Sequence, residues 1–182
     1  MSRYVALLRG INVGGKNLIA MTKLKVCFEN EGFEDVATYI QSGNVLFTSG
    51  KSGRVKLTRR IEDELSTVFN FQASVALRTR EQMRDIVERA PDGFGSEPTR
   101  YRYDVIFLKE PLTAVEALKS VRVKQGVDEA YPGKGVLYSS RLISKASQSQ
   151  LSRVVSMPVY QSMTIRNWNT TTKLLQLMSS RP

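Results

Sequence analysis

The chain contains no histidine. Imidazole general bases, Ser-His and Cys-His nucleophile pairs and every histidine-containing metal site are therefore excluded. Cysteine occurs once, as Cys27, so neither an internal disulfide nor a thiolate zinc site can form. Its spacing from Leu24 and Phe28 places it on the apolar face of a helix, where a buried and silent thiol is expected. No serine is followed by lysine three positions on, which removes Ser-x-x-Lys acylation chemistry. The apolar run Tyr4 to Leu8 is ended by Arg9, too early for a signal peptide's apolar region or a membrane span. A cytoplasmic protein with no membrane partner, no metal and no cofactor is expected.

What is present describes a folded, basic chain. Its 182 residues are 41% hydrophobic and 24% charged, with a net charge of +10, which is ordinary for a globular protein and far from the disordered regime. The charge is unevenly placed: residues 1–60 carry +6, residues 61–100 carry −3 and residues 101–182 carry +7. Basic ends permit contact with phosphate-bearing partners, although no block of consecutive like charges marks a nucleic-acid-binding tail. A solvated basic surface is the plainer explanation.

Alternating period-two and period-3.6 patterns give the order of elements. Tyr4 to Arg9 reads as a strand. Thr22 reads as the cap of a helix ending at Gly32, with Leu24, Cys27 and Phe28 inward. Val36 to Ile40 and Val45 to Thr48 flank Gln41-Ser42-Gly43-Asn44 as a hairpin. A helix from about Gly53 to Phe69 turns Leu57, Ile61, Leu65 and Val68 inward, and Ala73 to Arg78 is the closing strand. This is β-α-β-β-α-β, the ferredoxin-like order. After a bridging helix and the breaker Pro91-Asp92-Gly93-Phe94-Gly95, the order starts again. Tyr101 to Leu108, a helix over Thr113 to Ser120, Val127 to Tyr131, a turn at Pro132-Gly133-Lys134-Gly135 and Val136 to Ser139 follow, with Val45-Leu46-Phe47 and Val136-Leu137-Tyr138 in matching slots. A helix carrying Leu151, Val154 and Val155, a strand near Met163 to Ile165 and a closing helix through Leu174, Leu175 and Met178 complete it. The expected fold class is α+β, two ferredoxin-like lobes with antiparallel sheets backed by helices, divided as residues 1–90 and 91–182.

Between the first strand and first helix lies Arg9-Gly10-Ile11-Asn12-Val13-Gly14-Gly15-Lys16-Asn17. Glycines admit φ > 0 and close approach of a ligand, and backbone N–H groups beside Arg9 and Lys16 suit an anion. The alternative is that glycines serve tight turns and asparagines satisfy exposed backbone. Topology sends this loop and the hairpin Gln41 to Asn44 to the same end of the sheet. Further along, Arg166-Asn167-Trp168-Asn169 crowds polar groups around the sole tryptophan where a strand becomes a helix. The indole there can stack on a base, or the cluster can latch one lobe to the other with an asparagine capping the helix.

These stretches carry a resemblance. Tyr4 to Asn17, then Thr38-Tyr39-Ile40-Gln41-Ser42-Gly43-Asn44-Val45, then Arg166-Asn167-Trp168-Asn169-Thr170, resemble a widespread bacterial family catalogued as a domain of unknown function. The likeness runs over nearly the whole chain. It implies two ferredoxin-like lobes and supplies candidate positions, with no activity, cofactor or catalytic residue attached.

Three classes of function stay open. The first is binding of a phosphate-bearing ligand, a nucleotide or weakly and non-specifically bound nucleic acid, through Arg9, Asn12, Gly14, Gly15, Lys16, Asn17, Ser42, Asn44, Arg166, Asn167, Trp168 and Asn169. Neither P-loop spacing, nor G-x-G-x-x-G, nor an RNP1 pattern is present to narrow it. The second is an enzyme working through carboxylate, lysine, tyrosine or substrate. The third is a structural or protein-interaction module.

Overall fold

The computed structural model describes residues 1–50 and 53–180. It contains two four-stranded antiparallel sheets, each packed against helices, as two ferredoxin-like lobes require. The first sheet is built from β1 (Ser2–Leu8), β2 (Glu34–Tyr39), β3 (Asn44–Ser49) and β4 (Val75–Thr79) in the order β2-β3-β1-β4. Its helices are α1 (Met21–Asn30) and α2 (Arg54–Phe69). After α3 (Arg80–Glu88), the second sheet is built from β5 (Tyr101–Leu108), β6 (Asp128–Gly133), β7 (Val136–Leu142) and β8 (Met163–Asn167) in the order β6-β7-β5-β8. It carries α4 (Ala114–Ser120), and α5 (Trp168–Ser179) follows β8. Two compact units result, one of Met1–Met83 together with the chain from Leu174 on, the other of Arg84–Lys173.

In the first unit, alternate residues of β1 divide between the two faces of the sheet. Tyr4, Ala6 and Leu8 join Val45, Phe47, Val75 and Leu77 beneath Leu24 and Phe28 of α1 and Leu57, Ile61 and Leu65 of α2. Tyr4 stacks on Phe47, with ring centroids 5.5 Å apart. The other face of this sheet, with Val5, Leu7, Leu46 and Ala76, is buried as well, which is why β1 reads as a continuous apolar run.

The second unit matches the first strand for strand. Val5 pairs with Leu46 and Arg78, as Val105 pairs with Tyr138 and Arg166. This register corrects the expected matching by one residue: Leu137 stands where Val45 stands, and Tyr138 where Leu46 stands. A one-residue slip exchanges the faces of a strand, so it decides which side chains belong to which layer.

Three further expectations change. The segment with Leu151, Val154 and Val155 is no α-helix: residues 143–162 run through three 3-10 turns, Ile143–Gln148, Leu151–Ser156 and Pro158–Ser162. Side chains three apart eclipse in a 3-10 turn, so Leu151 and Val154 share the inner side while Val155 is 53% exposed. Serine and glutamine through 144–150 favour local side-chain bonding over helix, and Pro158 begins a new turn. Val68, expected inward, is exposed, and Phe69 packs against the core instead. Finally, α1 begins at Met21 with Ala20 in the cap position and no capping side chain, so Thr22 lies inside the helix.

Candidate functional site

The glycine-rich loop and the first hairpin converge, as strand direction dictates. Leu8 N–H donates to Gly43 O at 2.8 Å, and Asn12 Nδ2 donates to Gln41 O at 2.8 Å. Gly43 is buried with φ +78°, and a Cβ there would lie 2.5 Å from Ile11 Cδ1, so only glycine admits the loop at that distance.

The loop itself is a miniature hairpin. Asn12 N–H donates to Asn17 O, and Lys16 N–H to Val13 O, each at 3.1 Å. Gly14 and Gly15 hold φ of 59° and 74°, the sign that both central residues of a type I′ turn require. Asn12 and Asn17 also lie at positive φ, 53° and 47°, and their side chains brace the base of the loop. Asn12 Nδ2 donates to Ile19 O at 3.0 Å and its Oδ1 accepts from Ile19 N–H at 2.8 Å, while Asn17 Nδ2 donates to Gly10 O at 2.9 Å. Asn44 is fully buried, donating to Tyr39 O at 2.8 Å and to Ser42 Oγ at 3.1 Å. Arg9 is half-buried; Lys16 is exposed at the tip. Val13, Leu18 and Ile40 are exposed around it, at 64%, 75% and 47%.

The residues Arg166 to Asn169 belong to the second unit, so the structure divides the expected set into two groups. Arg166 is buried at 8% exposure and donates through Nη1 to Ile165 O at 2.9 Å, and burial pushes its pKa down to about 10. Asn167 Oδ1 accepts from Thr170 N–H at 2.7 Å and so caps α5. Trp168 stands edge to face with Phe94, centroids 5.1 Å apart, and Phe94 touches Tyr103 and Tyr138 in the same manner at 4.9 and 5.4 Å. Gly95, with φ +86°, lies beneath the indole, where a Cβ would be 2.3 Å from Cδ1 and Nε1.

Asn167, Trp168 and Asn169 line a cleft of about 400 Å³ together with Tyr101, Arg102, Tyr103 and Arg141. The two arginines face each other directly across β5 and β7. Arg102 Nε donates to Asp104 Oδ2 at 2.8 Å, and that ion pair stabilises the guanidinium charge. Arg141 Nε is buried and has no hydrogen-bond partner among the described residues, nor has Asp104 Oδ1. Both arginines also line a second cavity of about 220 Å³, whose wall includes Asp104, Ser139, Ser152 and Val154.

These cavities have a cause in the register. Asp104 and Ser139 occupy the positions that Tyr4 and Phe47 hold in the first unit. Where the first sheet places a stacked aromatic pair against Phe28 of α1 and Phe33, the second places a carboxylate and a hydroxyl in a cavity walled by the 3-10 turn Leu151–Ser156. Arg102 and Arg141 were not among the expected site residues, although Arg102-Tyr103-Asp104 puts two charged groups on one face of a strand. Among the described residues no group of His, Cys, Asp and Glu could hold a metal ion, and no helix is long and apolar enough to cross a membrane.

A family model described as "Protein of unknown function (DUF1697)" matches residues 1–138, which leaves Arg166 to Asn169 beyond the matched stretch. Among solved structures the chain is similar to the conserved bacterial protein SP0830 from Streptococcus pneumoniae, at 29% identity and a TM-score of 0.84 over 99% of both chains. No curated protein matches it.

Proposed function

Because the chain belongs to the family of proteins of unknown function DUF1697, no relative lends it an activity, and we propose from the chemistry of the second unit's cleft that it binds a phosphate-bearing ligand, a nucleotide or RNA. The observation that carries this reading is the pairing of Arg102 with Arg141 in a cleft that also exposes the sole tryptophan. Like charges directly opposite on neighbouring strands destabilise the pairing, a cost that an anion seated between them removes. Among the residues lining the two cavities, two arginines stand against one carboxylate, Asp104; a second carboxylate, Asp128, lies across from Arg141 on β6, where its Oδ2 accepts from the Lys124 and Gln150 N–H groups at 3.0 and 2.8 Å. Guanidinium groups suit phosphate oxygens, and Trp168 and Tyr101 offer faces for a base. The cleft's volume lies within the range of small-molecule sites.

The test is titration of wild type, Arg102→Ala, Arg141→Ala and Lys16→Ala with nucleotides and short RNA, with Lys119→Ala as a remote control. Losing one engaged guanidinium weakens binding roughly 10- to 150-fold, the equivalent of about 1.5–3 kcal/mol. Loss at Lys16 alone moves the phosphate to the glycine-rich loop. If neither arginine matters and nothing in the panel binds, the proposal fails. The exposure of Val13, Leu18 and Ile40 around that loop favours a second reading, a protein-interaction module using the loop end of the first unit. Val13→Ser with Leu18→Ser would then abolish partner binding while leaving nucleotide titrations unchanged.

A further inference from the structure

We infer that the ligand of the second unit is a phosphodiester with a nucleoside on each side of the phosphate, rather than a mononucleotide. The inference rests on the nucleotide reading above and adds the class of ligand. Its basis is that Arg102 and Arg141 line two cavities at once, the aromatic cleft of about 400 Å³ and the smaller one of about 220 Å³. The positive charge therefore lies on the wall that the cavities share. A terminal phosphate seated there would occupy the cleft on one side and leave the other cavity unused. A bridging phosphate fills both, with one nucleoside against Trp168 and the other toward Asp104.

The chemistry of the smaller cavity selects what enters it. The Asp104 carboxylate repels a second phosphate, so a polyphosphate chain running inward is disfavoured. Its Oδ1 is buried without a hydrogen-bond partner among the described residues, and a buried acceptor in that condition is costly. A sugar hydroxyl or base N–H donating to it from the cavity, after a small shift of the side chain, would satisfy it. Ser139 and Ser152 add hydroxyls, and Val154 with Ile165 supplies apolar wall. The arrangement suits a neutral group bearing hydroxyls and a ring. Its counterpart in the first unit is filled by Tyr4 and Phe47, so the second unit has space where the first has core.

The test compares adenosine monophosphate, the dinucleoside monophosphate ApA and a single-stranded hexaribonucleotide on the full chain, by calorimetry or fluorescence anisotropy. ApA is expected to bind about tenfold or more tightly than the mononucleotide, as a second engaged base brings. Ser152→Trp, at an exposed position in the wall of the smaller cavity, should reduce ApA to the affinity of the mononucleotide and leave the mononucleotide unchanged. A hexaribonucleotide no tighter than ApA identifies a dinucleotide as the ligand, and a much tighter one identifies RNA. Equal affinity of wild type for the mononucleotide and ApA overturns the inference while leaving the nucleotide reading standing. Absence of binding by all three probes overturns both.

Discussion

Replacing Gly95 by alanine should disturb the cleft through a single contact, and its neighbour Gly93 provides the control. Both glycines hold positive φ, +86° and +73°, where an L-residue costs roughly 1–2 kcal/mol. They differ in what a methyl group meets. At Gly93 the Cβ finds only Ser96 Oγ at 3.7 Å, whereas at Gly95 it lies 2.3 Å from two atoms of the Trp168 indole. The ring must leave, and with it the edge-to-face contact with Phe94, a kind of pair worth about 0.5–1.5 kcal/mol beyond its buried area. Gly93→Ala is therefore expected to cost about 1–2 kcal/mol and Gly95→Ala about 1.5–3.5 kcal/mol. With a urea m-value of ~2 kcal/mol/M, the midpoints should differ by roughly 0.25–0.75 M. Trp168 is the only tryptophan, so its emission reads this site alone: Gly95→Ala should shift the native spectrum and Gly93→Ala should not. Equal midpoints and identical spectra would show that the indole is not held by the absence of a side chain at position 95.

Asn12→Ala should cost about 1–3 kcal/mol, because it removes two donated hydrogen bonds and one accepted bond at a residue of positive φ. Urea melts would show it, with Asn12→Gly milder than Asn12→Ala since glycine relieves the backbone. Cys27 should label slowly in the native protein and quickly in denaturant. It is 4% exposed, and burial, with Glu64 and Glu31 nearby, pushes its pKa up to about 11. The folded state thus favours the protonated thiol, and stability should fall as pH rises above the unfolded thiol's value of about 8.5, an alkaline trend that Cys27→Ser removes. If Arg102 and Arg141 together hold one phosphate of a single strand, log K should fall with log salt at a slope of about −0.7. A tight, salt-insensitive complex would mean that the arginines are not the contact.

Much of the fold was legible because local patterns and tertiary packing agree. Leu57, Ile61 and Leu65 recur at helical spacing and all lie in the core, and the strands of both sheets follow their β-prone runs. Where the pattern misled, a weaker local signal had been outvoted. Leu151, Val154 and Val155 suit one helical face, but the surrounding serines, glutamines and Pro158 make 3-10 turns in which Val155 faces outward. The candidate site was less legible. Gly14, Gly15, Asn12 and Asn17 suggest a ligand loop, yet the same residues meet the demands of a tight turn and its bracing. Arg102 and Arg141 lie 39 positions apart and become neighbours only through the β5–β7 register, which a run of strand-forming residues does not determine.

The exchange of Tyr4 and Phe47 for Asp104 and Ser139 at matching positions means that the two units tolerate change differently. In the first, that layer is buried aromatic core, where a loss of volume is felt as a cavity. In the second, the corresponding layer already borders open space, so side chains there can vary in size and polarity without emptying a core. One fold thus offers one half whose sequence is constrained by packing at this layer and another whose sequence is constrained less.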